Sequence, residues 1–305
     1  MTSTTPTRLS RRLVSSATIS LATFALVAGS LNAQTPPDIS KKKPKQPVLE
    51  FAMMTWPEVR EALAAGKTTA LVYTGGTEQR GPQNVNGGHT LMGEKIAQGI
   101  AERLGNAIWL PVLPYSPNNA SASLPGTIGL TNEIMQALLE RISEQAIATG
   151  FKNVVVMGDH GGGQGDGAGN VYAATARKLD EKYAPKGIHV FYCDRVYAPA
   201  QDDFSRKVAE KGLPPSSHAG LPDTAEMLYL GNGDWSRVDL YPIAFSPPAP
   251  PPGTPRDPNA PRVVGNGISG DARQSTKEWG KLQYDMKIDY AVKQIEQWIP
   301  RPAGK

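Results

Sequence analysis

The chain has 305 residues, a formal net charge of +4 and a single cysteine, Cys193, which excludes a disulfide within the chain. The charge is unevenly placed. Arg8, Arg11 and Arg12 lie near the start and Lys41, Lys42, Lys43 and Lys45, against Asp38, follow soon after, leaving 25 basic and 27 acidic side chains for residues 49–305. That main body is slightly acidic, so the basic balance of the whole chain is no ground for a nucleic-acid partner.

Residues 1–33 carry the three arginines, no acidic side chain, and a modestly apolar stretch from Leu13 to Leu31. Leu31-Asn32-Ala33 ends in a small residue before Gln34, the pattern of a secretory signal peptide, so the mature protein is expected to be periplasmic or secreted. Ser10-Arg11-Arg12-Leu13-Val14 resembles a twin-arginine signal, and an ordinary export signal fits equally well. Residues 34–48 are rich in Pro and Lys with little to bury, and read as a disordered arm. Residues 49–305 suffice for one large domain or two small ones, and no stretch in them is apolar for long enough to span a membrane.

From residue 69 onward, apolar runs and helical patterns alternate. Thr69–Thr74 reads as a buried strand, Leu91 to Leu104 as a helix, and Ala107 to Leu113 as a second strand. Thr131 has the position of an N-cap, with Ile134, Leu138, Leu139 and Ile142 as the expected buried stripe of a helix ending near Gly150. Val154–Met157 is a third strand, Val171–Tyr183 a third helix, and Ile188–Tyr192 a fourth strand, in which His189 is expected to be a core or sheet-face residue. Cys193 is expected to pack in the core. Beyond residue 195 a short helix over Pro222–Leu230, a proline-rich excursion over 246–261 and an amphipathic helix over Lys277–Trp298 complete the chain. Strands separated by helices predict an α/β protein, with a mostly parallel sheet covered on both faces and ligands bound beyond the carboxyl ends of the strands.

Chemistry concentrates in glycine-containing loops that pair a histidine with a carboxylate. Gly75-Gly76-Thr77-Glu78-Gln79-Arg80-Gly81-Pro82 follows the first strand, with His89 after Gly87-Gly88. Gly158-Asp159-His160-Gly161-Gly162-Gly163 follows the third strand, and Ser217-His218-Ala219-Gly220 precedes Asp223. Neutral imidazoles mixed with carboxylates suit zinc, manganese or iron, and an open coordination position turns water into a nucleophile near neutral pH. Any one such loop could equally be a capped turn; the three together favour a metal site without saying which pair binds.

These loops, together with Leu124-Pro125-Gly126-Thr127-Ile128-Gly129-Leu130 and Gly267-Ile268-Ser269-Gly270-Asp271, resemble in order the motifs of the creatininase (creatinine amidohydrolase) family, over residues 55 to 299. The resemblance implies a three-layer α/β/α sandwich, often a ring-like homohexamer, with a two-metal centre that hydrolyses cyclic amides and related bonds. It implies that Glu78 and His160 are metal ligands, that His89 takes the place of a bridging aspartate, and that His218 and Asp223 are the active-site histidine and the proton-relaying acid. Two positions depart from the pattern. Arg80 stands where the family has a histidine ligand, and arginine cannot coordinate a cation. Gly162 stands where a ligand carboxylate is usual. The simpler expectation is one ion, zinc or manganese, held by Glu78, His89 and either His160 or Asp159, although one or two ions remain open.

Arg80 has two readings: inward, binding a substrate carboxylate or phosphate, or outward, paired with a surface carboxylate. The leading expectation is a secreted metal-dependent hydrolase of a cyclic or linear amide in a small molecule, acting as a homo-oligomer, with His218 or Asp223 handling the proton. Its rival is a non-catalytic protein of the same fold that binds a small anion through Arg80 and the glycine-loop amides. A surface-anchoring role for the Lys/Pro arm leaves the three loops unexplained.

Overall fold

The computed structural model describes residues 48–118, 121–246 and 265–300. The expected signal peptide, all of the arm but Val48, and the proline-rich excursion past Ser246 lie outside the described residues. Four parallel strands form the central sheet in the order β2-β1-β3-β4: β1 (Thr69–Thr74), β2 (Ala107–Trp109), β3 (Asn153–Gly158) and β4 (His189–Tyr192). The helices are α1 (Trp56–Ala64), α2 (Gly88–Leu104), α3 (Asn132–Thr149), α4 (Val171–Tyr183), α5 (Ala198–Glu210), α6 (Leu221–Leu230) and α7 (Lys277–Trp298).

Every residue of β1 is buried, as expected of a central strand covered on both faces. Successive side chains enter opposite layers. Leu71, Tyr73, Val155 and Met157 pack with Met92, Ile96 and Ile100 of α2 and Ile288, Val292 and Ile295 of α7. Ala70, Val72, Val154 and Val156 pack with Met135 and Leu139 of α3 and Tyr172 and Leu179 of α4. The result is the three-layer α/β/α sandwich. A third cluster, Phe204, Val208, Leu221 and Met286, joins α5 and α6 to α7.

Two expectations need correction. The second strand stops at Trp109, although Leu110 N and Leu113 N still donate to Leu71 O and Tyr73 O of β1 at 3.0 and 3.1 Å. Pro111 between them has no N–H to continue the ladder. On α3, Ile134 and Leu138 are 50% and 38% exposed, whereas Met135, Leu139 and Ala146 are buried, so the inward stripe is rotated by one residue. Of the two readings of His189, the sheet-face one holds: it opens the edge strand β4, its ring stacks on Phe191, and its side chain, 44% exposed, pairs with Asp180 at 3.1 Å. Thr131 does cap α3, accepting from Ile134 N, and Cys193 is buried.

α6 and α7 cross so closely that a Cβ on Gly280 would lie 1.9 Å from Ala225 O. Gly280→Val is therefore expected to destabilise the protein by about 1–3 kcal/mol through overpacking, measured as a lower urea midpoint at unchanged slope. An unchanged midpoint would mean that the two helices can separate freely.

Candidate metal centre

The turn after β1 carries the first functional residue. A Cβ on Gly75 would come 2.5 Å from Thr90 Cα, so only glycine lets the strand end pass this close to the first turn of α2. The close approach brings Glu78 beside His89, the second residue of α2. Glu78 N donates to Asn86 O at 3.0 Å, which closes the loop between them.

Glu78 is 2% exposed, and polar atoms surround both of its oxygens. Oε1 lies 2.9 Å from His89 Nε2, 3.4 Å from Arg80 Nη1 and 3.4 Å from His218 Nδ1. Oε2 accepts from Asn118 Nδ2 at 2.9 Å and Ser121 Oγ at 2.8 Å, and lies 3.3 Å from His160 Nε2. Burial pushes the Glu78 carboxyl up, but the hydrogen bonds of His160 and His89 and the charges of His89 and Arg80 outweigh it and hold the group well below the usual carboxylate range.

The histidines differ in state. His89 Nδ1 lies 3.0 Å from Asp159 Oδ2. Burial and the Arg80 charge work against its protonation, yet the two flanking carboxylates prevail and raise its pKa. For His160, burial dominates and lowers the pKa, so the ring is neutral. Gly162 N donates to His160 Nδ1 at 3.0 Å, which leaves the proton on Nε2. Ser116 Oγ, also 3.0 Å from Nδ1, could accept a proton there in the opposite tautomer. His218 is 26% exposed at the cavity, and its Nε2 accepts from Gln79 Nε2 at 3.0 Å.

Two ionic groups back this layer. Arg80 is fully buried, between Glu78 and Asp223. Its Nη2 lies 2.9 Å from Asp223 Oδ2 without hydrogen-bond alignment, and its Nε has no partner among the described residues. Asp223, in the first turn of α6, also accepts from Ala219 N at 2.7 Å. In the second group, Lys287 Nζ lies 2.6 Å from both Asp159 Oδ1 and Glu226 Oε2. Burial raises both carboxyls, but the Lys287 charge and the His89 hydrogen bond hold Asp159 low, whereas burial prevails at Glu226 and keeps it high.

Ligand atoms of Glu78, His89 and His160 all lie within 4.8 Å of one another. Bonds of about 2.0–2.2 Å to a tetrahedral ion put ligand atoms about 3.3–3.6 Å apart. His89 Nε2 lies 2.9 Å from Oε1 and His160 Nε2 3.3 Å from Oε2, so a single ion between the imidazoles needs Glu78 to present both oxygens or to turn one of them between the rings. The donor set therefore fits a divalent cation, provided that His160 changes tautomer.

Asp159 and Arg80 do not stand where the sequence analysis put them. Asp159 points away from its neighbour His160, lies behind His89 and orients it rather than joining the donor cluster. Arg80 neither lines the cavity nor pairs at the surface, because Glu78 and Asp223 enclose its guanidinium. Gly162 cannot carry the carboxylate expected from the resemblance, since a Cβ there would lie 1.6 Å from Pro117 O. Asn118, Ser121, Gln79, Lys287 and Glu226 were not singled out from sequence. The contacts that tie them to the site span from 40 residues (Asn118 to Glu78) to 139 (Gln79 to His218), with Lys287 and Glu226 61 apart, and no local spacing marks them.

The cluster opens into a cavity of about 910 Å³. Its walls include Ser121, Leu124, Tyr197, Gln201, His218 and Ile268, and they carry no lysine or arginine among the described residues.

Known proteins share this framework. The family model described as "Creatininase: Creatinine amidohydrolase" matches residues 52–295. A "Mycofactocin precursor peptide peptidase" from Mycobacterium tuberculosis (strain CDC 1551 / Oshkosh) is 23% identical over 256 residues, covering 79% of this chain and 90% of the relative. A crystal structure of creatinine amidohydrolase (creatininase) superposes with a TM-score of 0.65 at 22% identity, over 84% of this chain and all (100%) of that one. A structure titled "Creatininase Mn" gives 0.64 at 21% identity, over 83% and 99% of the two chains. The superpositions establish the α/β fold, and the family match spans most of the chain. The chain belongs to the creatininase family, as a divergent member.

Proposed function

We propose that the protein is a metal-dependent amide hydrolase with a single divalent cation, zinc or manganese, held by Glu78, His89 and His160. The observation that carries this reading is the buried carboxylate with two imidazole nitrogens at the base of a cavity. When bound, such an ion supplies a Lewis acid for an amide carbonyl and lowers the pKa of water. A second cation beside it would meet the guanidinium of Arg80, 3.4 Å from Glu78 Oε1 and permanently charged.

The chain's own groups supply the proton handling. His218 sits on the cavity wall with Nδ1 3.4 Å from Glu78 Oε1, and Gln79 fixes its ring by donating to Nε2. Release of the Gln79 contact frees Nε2 to take a proton from the attacking water and return it to the leaving nitrogen. Asp223 also reaches the wall and, anchored by Ala219 N and Arg80, is placed to relay that proton. Arg80 is assigned the task of holding Glu78 and Asp223 in register rather than binding substrate. An anion-binding protein without catalysis would lack a cationic wall residue to carry it.

A small cyclic or linear amide fits the cavity, but its size also accommodates a peptide segment, since drug-sized ligands occupy about 300–1,000 Å³. The peptidase named among the relatives favours that larger substrate. Export to the periplasm and assembly into a homo-oligomer stay part of the proposal, resting on the leader sequence and the family.

The metal-purified protein is expected to hold about one equivalent of zinc or manganese, and Glu78→Gln to hold almost none. With creatinine, other cyclic amides and short peptides as a substrate panel, His218→Ala is expected to lower kcat by about 10²–10⁴-fold while the ion stays bound. No ion in the wild type and no turnover with any added metal would refute the proposal.

Cation affinity should also rise with pH. Its two flanking carboxylates raise the pKa of His89, so in the metal-free protein it keeps its second proton to a higher pH than a free imidazole, and the ion must displace that proton. Below that pKa, affinity should therefore fall up to about tenfold per pH unit, with one proton released per ion in calorimetry. In the metal-free protein the sign reverses. His89 stabilises the fold below its ordinary imidazole pKa, and that contribution fades as pH rises through the raised value.

A further inference from the structure

Lys287 is 3% exposed, whereas Asp159 and Glu226 are fully buried at 0%. None of the three lines the cavity, so none touches a substrate. They come from three separate segments: Asp159 from the loop directly after β3, Glu226 from α6 and Lys287 from α7. A buried ionic trio is a weak source of stability, because apolar residues of similar volume commonly serve as well or better. What a lysine provides and a leucine cannot is a fixed position for a carboxylate oxygen.

The two oxygens of Asp159 have separate partners. Oδ1 is 2.6 Å from Lys287 Nζ and Oδ2 is 3.0 Å from His89 Nδ1. Glu226 Oε2, 2.6 Å from the same ammonium, holds it from a second direction. With Oδ1 engaged, the carboxylate cannot turn about its axis without breaking a short charged contact. Oδ2 then keeps one proton of His89 on Nδ1, so that the proton Nε2 shares with Glu78, 2.9 Å away, is the one an ion would displace.

We propose that Lys287 is a positioning residue of the metal centre: by holding Asp159 it fixes the tautomer and ring orientation that let His89 Nε2 bind the ion. The inference rests on the metal reading given under Proposed function. It adds a residue some way back from the ion, on the last helix of the domain, to the apparatus that sets metal affinity.

Cobalt(II) titration followed by absorption tests it in the full chain. Lys287→Met combined with Glu226→Gln removes the ammonium together with the carboxylate it would otherwise leave charged and unpaired. The double variant is expected to bind cobalt about 10–100-fold more weakly than wild type, as is Asp159→Asn. Because Lys287 acts through Asp159, combining all three substitutions should weaken binding by less than about twofold beyond Asp159→Asn alone. In the zinc-loaded wild type, the His89 Nδ1–H proton should give a downfield NMR signal that moves upfield in the double variant. A purely structural lysine would lower stability but leave that signal in place.

A folded double variant with cobalt affinity within about threefold of wild type and an unmoved signal would overturn the proposal, as would losses that multiply in the triple variant. If the double variant does not fold, Lys287→Gln serves instead, since its amide still donates one hydrogen bond to Asp159. A loss above about threefold but smaller than that of Asp159→Asn supports the inference, and no loss overturns it. A wild type that binds neither cobalt nor zinc would sink the metal reading itself, and this inference with it. A wild type that binds while the variants bind equally well would sink the inference alone.

Discussion

A carboxylate buried to 2% exposure is a constraint that the surrounding structure must answer. Glu78 would be costly to ionise there if it were alone. It is not alone, because three imidazoles, an amide, a hydroxyl and a guanidinium meet its two oxygens. These partners come from the loop after β1 itself, the first turn of α2, Asn118 and Ser121, the loop after β3 and the loop before α6. Satisfying one carboxylate thus ties together the loops at the carboxyl edge of the sheet. The glycines at 75 and 162 belong to the same solution, since each admits a backbone approach that a Cβ would block.

Charge explains why the centre departs from the pattern of its family. Arg80 and His89 stand where the resemblance implies a ligand histidine and a bridging aspartate. Arg80 brings a permanent positive charge next to Glu78 and Asp223, and Lys287 brings another between Asp159 and Glu226. A site with these built-in cations needs fewer metal charges to balance its carboxylates. The loss of a ligand at Arg80 and at Gly162 is therefore coherent with one ion. It does not read as a centre in decay.

Much of this was legible in the sequence, for local reasons. β1, α4 and α7 have the bounds expected from their periodicity, and the parallel order follows from strands separated by helices. The histidine loops identified Glu78, His89, His160 and His218, which do converge. α1 and α5 went unread although their signals were present: a Thr55/Glu58 capping box with Pro57 for the first, and Ala200, Phe204 and Val208 at four-residue spacing for the second. The direction in which Arg80 and Asp159 point was not legible, because it depends on partners brought in by tertiary packing. Asp159 finds Lys287 across 128 residues and Arg80 finds Asp223 across the fold, and neither pairing leaves a trace in local spacing.

Anomalous scattering from a crystal soaked in manganese, or in zinc, tests the central claim most directly. One peak is predicted, within about 2.0–2.3 Å of a Glu78 oxygen, His89 Nε2 and His160 Nε2, with Asp159 behind His89 and Arg80 outside the coordination sphere. A well-soaked crystal with no peak at Glu78, or with the ion bound to Asp159 instead, would contradict the account.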